Sequence, residues 1–294
     1  MKEFKPQQQF VHRMKTTFRL MGVADWITLG NGLLGTFSIA CLIHAFDGFS
    51  NVDANSEKYI WLAMLFIVLS IFGDLIDGPI ARSYSKRRYL GSYLDLMSDS
   101  ISFGVAPALL VFGLFSQWGE NTPVWTISVG VVCCWVIICT LLRLARFQHE
   151  SDSENRWFHG LASPGSAVLI LSISGLILLQ PEVVSYDFVN FMGGDGSNYP
   201  FAWLIFPGMI IPGTLMISDR RLPKFSKGTG MNLSLLLLLS MFTATLIQST
   251  TQNSSSGAVI SFSLFMFSLA VISLHVLMGP KICDSMFESN NSES

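Results

Sequence analysis

Apolar residues run in long blocks along the whole chain, and short polar stretches separate them. A helix that crosses a bilayer needs about 20 mostly apolar residues. Eight blocks qualify, at roughly 26–46, 59–82, 90–116, 124–147, 164–180, 199–217, 231–248 and 257–279. The fifth is the shortest, and Pro207 and Pro212 are expected to break the sixth. These runs are far too long for barrel strands, so the predicted fold is all-α, a polytopic transmembrane helix bundle of about eight spans.

The loops supply an orientation. Lys and Arg gather in the N-terminal tail (Lys2, Lys5, Arg13, Lys15, Arg19), after the second block (Lys86, Arg87, Arg88), near the end of the fourth (Arg143, Arg146, Arg156) and after the sixth (Arg220, Arg221, Lys224, Lys227). The alternate loops hold Lys58 and otherwise acids such as Asp47, Asp53, Glu120, Glu182, Asp187 and Asp195. Basic loops stay on the cytoplasmic side, so both termini and the 82–90 turn are predicted there, which suits a plasma membrane with the active face inside. Residues 1–25 form an interfacial segment, with "FVHRMKTTFRLMG" amphipathic on the cytoplasmic surface. Residues 281–294, Ser- and Asn-rich from Ser289, read as a disordered cytoplasmic tail.

Composition agrees. Of the 294 residues, 50% are hydrophobic and 13% charged, and mean hydropathy is +0.49. Soluble domains carry about 25% charged residues. A net charge of −2 says nothing about partners, and no basic, aromatic-interleaved stretch points to nucleic acid. Cys41, Cys133, Cys134, Cys139 and Cys283 show no ligand spacing and read as packing residues. Trp26, Trp61, Trp118, Trp125 and Trp203 fall near predicted helix ends and read as interface anchors.

Against this apolar background, "DLIDGPIARSYSKRRYLGSYLDLMSDS" (74–100) places Asp74, Asp77, Asp95 and Asp99 inside two neighbouring spans. Asp74, Gly78 and Arg82 are four apart and share a helix face, and so do Gly91, Asp95 and Asp99. In an antiparallel hairpin, 74 meets 99, 78 meets 95 and 82 meets 91. Arg82 then lies about 12 Å nearer the surface than Asp74. Such a cluster needs protons or cations. Oxygen donors without His or Cys suit Mg²⁺ or Mn²⁺, and four carboxylates can hold two ions, a clamp for displacement at phosphorus. Arg82 can take a phosphate oxygen, and the "SYSKRRY" rim adds positive potential. A packing role leaves too many acids for one nearby arginine. A cation transporter is the rival of another class, but these acids sit at one depth near one face.

The same stretch resembles the CDP-alcohol phosphatidyltransferase signature. It runs Asp74-x-x-Asp77-Gly78-x-x-Ala81-Arg82, eight residues, Gly91-x-x-x-Asp95-x-x-x-Asp99, with every position filled. The resemblance implies a six-helix core (26–226) followed by two additional spans (227–280). It implies two metal ions on Asp74, Asp77, Asp95 and Asp99, and a CDP-activated lipid donor. It also implies a CDP site lined by Gly78, Ala81, Arg82 and Gly91, Asp99 as the base, and a homodimer. Pro79 fills a variable position and is expected to loosen the helix locally. "DWITLGNGLLG", "SDSISFGVAPALL", "LLRLARFQ", "FHGLASPGSAV" and "GTLMISDRRLPKF" resemble the phosphatidylserine synthase branch. There the positions of Thr28 and Asn31 lie near the nucleotide. "GVADWITLGN" is similar to archaeal members, which build archaetidylserine from an ether lipid.

The acceptor stays open on the residues alone. Arg143 and Arg146, three apart at the end of the fourth span, could bind the carboxylate of L-serine or the phosphate of glycerol 3-phosphate or inositol phosphate. The branch resemblance implies serine, phosphatidyl or archaetidyl transfer, and CMP as the other product.

Overall fold

The computed structural model describes residues 22–46, 54–84, 89–116, 123–150, 157–183, 202–223, 229–251 and 254–292. The expected N-terminal amphipathic segment and the 85–88 rim lie outside these residues. All eight apolar blocks form helices. In chain order they are α1 (Val23–Phe46), α2 (Ala54–Tyr84), α3 (Tyr89–Asp99) running through a π-helical turn (Ser100–Val105) into α4 (Ala106–Phe115), α5 (Pro123–Glu150), α6 (Ser163–Val183), α7 (Ile205–Ile217), α8 (Thr229–Thr250) and α9 (Ser255–Ser292). Among the described residues six helices are long and apolar enough to cross a membrane, while Ser163–Leu179 and Ile205–Ile217 are shorter apolar helices.

Three expectations change. The shortest span is α7, at 13 residues, rather than the fifth. Its prolines do not break it: Pro207 sits in the first turn, where no intrahelical donor is needed, and the helix continues through Pro212. α2 extends past residue 79 to Tyr84, which a local loosening at that proline allows. The stretch from 281 is helical to Ser292, since no Gly or Pro follows Pro280 to interrupt the ladder.

Trp61 is not an interface anchor. It is 2% exposed, stacks on Phe265 with ring centroids 6.2 Å apart, and donates through Nε1 to Glu57. Trp26 and Trp203 are exposed, and Trp125 donates from Nε1 to the Phe115 carbonyl at 2.7 Å. Cys133 and Cys139 are buried free thiols in the core, as packing residues would be.

The bundle is built around α1 and α2, which pack along their length, with α1 also lying against α3 and α4. The core runs through Met64, Ile67, Phe103, Leu110, Ile170 and Met209. The last two helices belong to this body: α9 packs on α6, α8 on α2, and a buried hydroxyl pair, Ser240–Ser268 at 2.8 Å, joins them.

One element escapes helix periodicity. β1 (Trp157–His159) and β2 (Arg221–Pro223) pair antiparallel, with Phe158 opposite Leu222 and His159 opposite Arg221. The pair joins the ends of α5 and α7. Gly160 closes it at φ +74°, and any Cβ there would strike the Leu215, Met216 and Ser218 carbonyls. His159, expected as a plain loop residue, is thus a strand residue.

Candidate functional site

Three acids converge as predicted. Asp74 from α2 and Asp95 and Asp99 from α3 each offer a carboxylate oxygen, and these lie within 4.8 Å of one another. Asp95 and Asp99 share a face because they are four apart on one helix. Asp99 is only 9% exposed. Asp77, Gly78, Ala81 and Arg82 follow Asp74 along α2 toward Tyr84, and their side chains lie outside the described residues. Helix rise carries residue 82 about 12 Å beyond Asp74. Gly91 is buried on α3.

The acid-bearing stretches of α2 and α3 meet, as an antiparallel hairpin would bring them, and α1 packs against both helices. Two close approaches make this possible. A Cβ at Gly73, beside Asp74, would overlap the Asn31 side-chain amide, and a Cβ at Gly35 would come within 2.9 Å of the Ser102 Cα. Asn31 therefore stands between the two acid-bearing helices. Its backbone carbonyl accepts from Ser70 Oγ of α2 at 3.2 Å and from Ser102 Oγ of the π turn at 2.9 Å. Thr28 and Asn31, each 4% exposed, lie on the buried face of α1.

That face also carries Asp25, which the sequence analysis passed over. It is buried, and its Oδ2 accepts from the Gly22 N–H at 2.6 Å across the start of α1. The available signal was spacing: 25, 28 and 31 recur at three-residue steps, one stripe of a helix. Ser70 and Ser102 gave no signal, since serines abound in these spans.

Both arginines lie on α5, which packs against α3 and the π turn that follows it. Ser92 Oγ of α3 donates to Gln148 Oε1 of α5 at 2.6 Å, and further along the same antiparallel pair Gly104 lies against the Thr140 methyl. Interpolating between these fixed points puts Asp95 level with Arg146 and Asp99 level with Arg143. Arg143 is buried; its Nε donates to the Leu161 carbonyl at 3.2 Å, and its guanidinium lies 5.6 Å from the Phe147 ring centroid. Arg146 pairs with Asp219 at 2.7 Å. Leu161 is in turn held by its own N–H bonding the Leu215 carbonyl at 2.9 Å, and Gly160 N–H bonds Arg220 at 2.8 Å. The β1–β2 pair and the loops beside it thus brace both guanidinium groups.

Chemically, the cluster is a set of hard oxygen donors suited to a divalent cation, with no His or Cys in it. Two arginines, Arg143 held by the Leu161 carbonyl and Arg146 paired with Asp219, lie on the neighbouring α5. This arrangement can neutralise a diphosphate on one side and bind a small anion on the other.

Comparison with known proteins points the same way. The model of the family described as CDP-alcohol phosphatidyltransferase matches residues 21–211. Similar relatives named CDP-diacylglycerol–serine O-phosphatidyltransferase occur in three domains of life. The Saccharomyces cerevisiae protein is 32% identical over 53% of this chain and 54% of its own length. The Methanocaldococcus jannaschii protein is 28% identical, covering 70% and 76%. The Bacillus subtilis protein is 30% identical, covering 70% and 93%. The match thus spans about half of the yeast relative and nearly all of the bacillar one.

Proposed function

The chain belongs to the CDP-alcohol phosphatidyltransferase family and is an integral membrane protein, and on that premise we propose that it transfers a phosphatidyl or archaetidyl group from a CDP-lipid to L-serine. The observation that supports this reading above all is the convergence of Asp74 from one helix and Asp95 and Asp99 from the next to within 4.8 Å. The serine names of relatives from yeast, an archaeon and a bacterium support the acceptor.

Asp74, Asp77, Asp95 and Asp99 would hold two Mg²⁺ or Mn²⁺ ions. When bound, these ions supply charge neutralisation for the acids and the diphosphate. The chain's own residues do the rest. Arg82, Gly78, Ala81 and Gly91 would seat the CDP group, with Thr28 and Asn31 of α1 beside it. Arg143 and Arg146 would grip the serine carboxylate. Arg143 stands level with Asp99, so an acceptor held there presents its hydroxyl toward that carboxylate. Asp99 takes the hydroxyl proton as the serine oxygen bonds the lipid-side phosphorus. The phosphorus–oxygen bond to CMP breaks, and CMP carries away the electron pair. A carboxylate is a weak base, so positioning must supply much of its effect.

The site would open toward the cytoplasm at a plasma membrane, with both termini on that side, a reading the basic loops support. Residues 26–226 would carry the core and 227–280 buttress it, and the protein would work as a homodimer. The deciding experiment gives purified protein CDP-diacylglycerol, Mn²⁺ and a panel of serine, glycerol 3-phosphate and inositol phosphate. CMP release with serine alone is expected. Release with a phosphorylated acceptor instead moves the assignment within the family, and release unchanged by Asp95→Asn or Asp99→Asn rejects the site.

A further inference from the structure

The third span is not a plain α-helix. Between Ser100 and Val105 it widens into a π turn, and the Ala106 N–H reaches back five residues to the Ile101 carbonyl. Such a turn takes in one extra residue, which is about 100° of rotation in an α-helix. The exposure pattern records the step. Residues eleven apart share a face of an unbroken α-helix, so Met97 would align with Ala108. Instead Met97 is 64% exposed and aligns with Leu109 at 39%, while Ala108 is 1% exposed. The extra residue lets α4 keep Leu110, Val111 and Leu114 in the core while α3 turns Asp95 and Asp99 toward Asp74.

Two hydroxyls brace that step from either side. Ser102 lies three residues beyond Asp99 and Ser70 one turn before Asp74, and both are fully buried. Both donate to the one Asn31 carbonyl, at 2.9 and 3.2 Å. The separation between α2 and the π turn is therefore fixed through a single backbone oxygen of α1. π turns recur at functional sites because they redirect side chains without ending a helix.

We propose that the Ser70–Asn31–Ser102 node, with the π turn, sets the separation of Asp74 and Asp99, so that Ser70 and Ser102 are positioning residues for divalent-cation binding. This rests on the reading that the acids hold a cation. Neither serine touches the cation or the substrate; each acts through the helix that carries an acid.

The test uses the full chain in detergent. Mn²⁺ binding is followed by the electron paramagnetic resonance signal of the free ion, and thermal unfolding is recorded in parallel. Wild type is expected to bind Mn²⁺ and Asp95→Asn to lose most of that binding. Ser70→Ala and Ser102→Ala should each weaken Mn²⁺ affinity about fivefold, the worth of one buried hydrogen bond. The double variant should bind more weakly than either, and KM for CDP-lipid at saturating Mn²⁺ should stay near wild type. Should Ser102→Ala fail to give monodisperse protein, Ser70→Ala carries the same expectation from outside the π turn. If Asp95→Asn loses Mn²⁺ while the serine variants only unfold earlier and bind normally, the node is packing and the proposal falls with the acidic site intact. If wild type and Asp95→Asn bind alike, the cation site itself falls and takes the proposal with it.

Discussion

Arg143 donates through Nε to the Leu161 carbonyl, 18 residues further along the chain and inside the protein. The bond joins α5 to the entry of α6, and Leu161 is itself hydrogen-bonded to the end of α7 at Leu215. Three spans therefore share the burden of orienting one buried guanidinium. A lysine could keep the charge but not this geometry, because only the guanidinium offers a planar fork with an Nε donor to spare.

Arg143→Lys should therefore raise KM for serine by about tenfold or more, the worth of a charge-assisted hydrogen bond. KM for the CDP-lipid should move little. Steady-state kinetics with each substrate varied in turn checks the split, and equal changes in both would remove Arg143 from the acceptor site.

The acids call for a steeper response. Asp99→Asn, isosteric but unable to take a proton, should cut kcat by about 10²–10⁴-fold. Asp74→Asn and Asp95→Asn should lower apparent Mn²⁺ affinity as well as rate. Treatment with EDTA should stop CMP release, and added Mg²⁺ or Mn²⁺ should restore it. Rates insensitive to the chelator would count against the cation reading.

Gly160 should tolerate no side chain. Its φ of +74° disfavours L residues, and a Cβ would meet three carbonyls at the end of α7. Gly160→Ala should lower the melting temperature by several degrees in a fluorescence unfolding scan, and it should also raise KM for serine, since the clamp holds Leu161. An unchanged melting temperature would show that the β1–β2 clamp is dispensable.

Phe265 tests whether the last two spans buttress the core. It is fully buried, stacks on Trp61 of α2 and fills the space over Gly175 of α6. Phe265→Ala should cost about 3–5 kcal/mol of stability. Activity per folded molecule should remain close to wild type, because Phe265 packs on Trp61 and over Gly175, away from the three acids described. Loss of rate without loss of stability would assign α9 a more direct part.

The chain's pattern went far. Long apolar blocks gave every span, because helices that bury their backbone polar groups in lipid must be long and continuous. Four aspartates in that setting pointed to a cation site, since the cost of burying carboxylates leaves few other reasons for them. Spacing of four put Asp95 and Asp99 on one face. Trp61 shows where the pattern misled: nearness to a helix end says nothing about which way a ring points, and here it points inward to Phe265. The prolines of α7 misled likewise, because a proline's cost depends on its place in the turn.

By itself, then, the order of residues determined which segments are helices, that they live in a membrane, and that acids of two neighbouring helices come together. These follow from local periodicity and from solvation, which act on neighbours along the chain. Only the tertiary structure decided that α1 packs against both acid-bearing helices, that a π turn follows Asp99, and that Arg143 is held by the Leu161 carbonyl beside a short strand pair. Those features depend on hydrogen bonds and close packing between residues tens of positions apart, such as Asn31 with Ser70 and Ser102, and no local pattern encodes such a meeting.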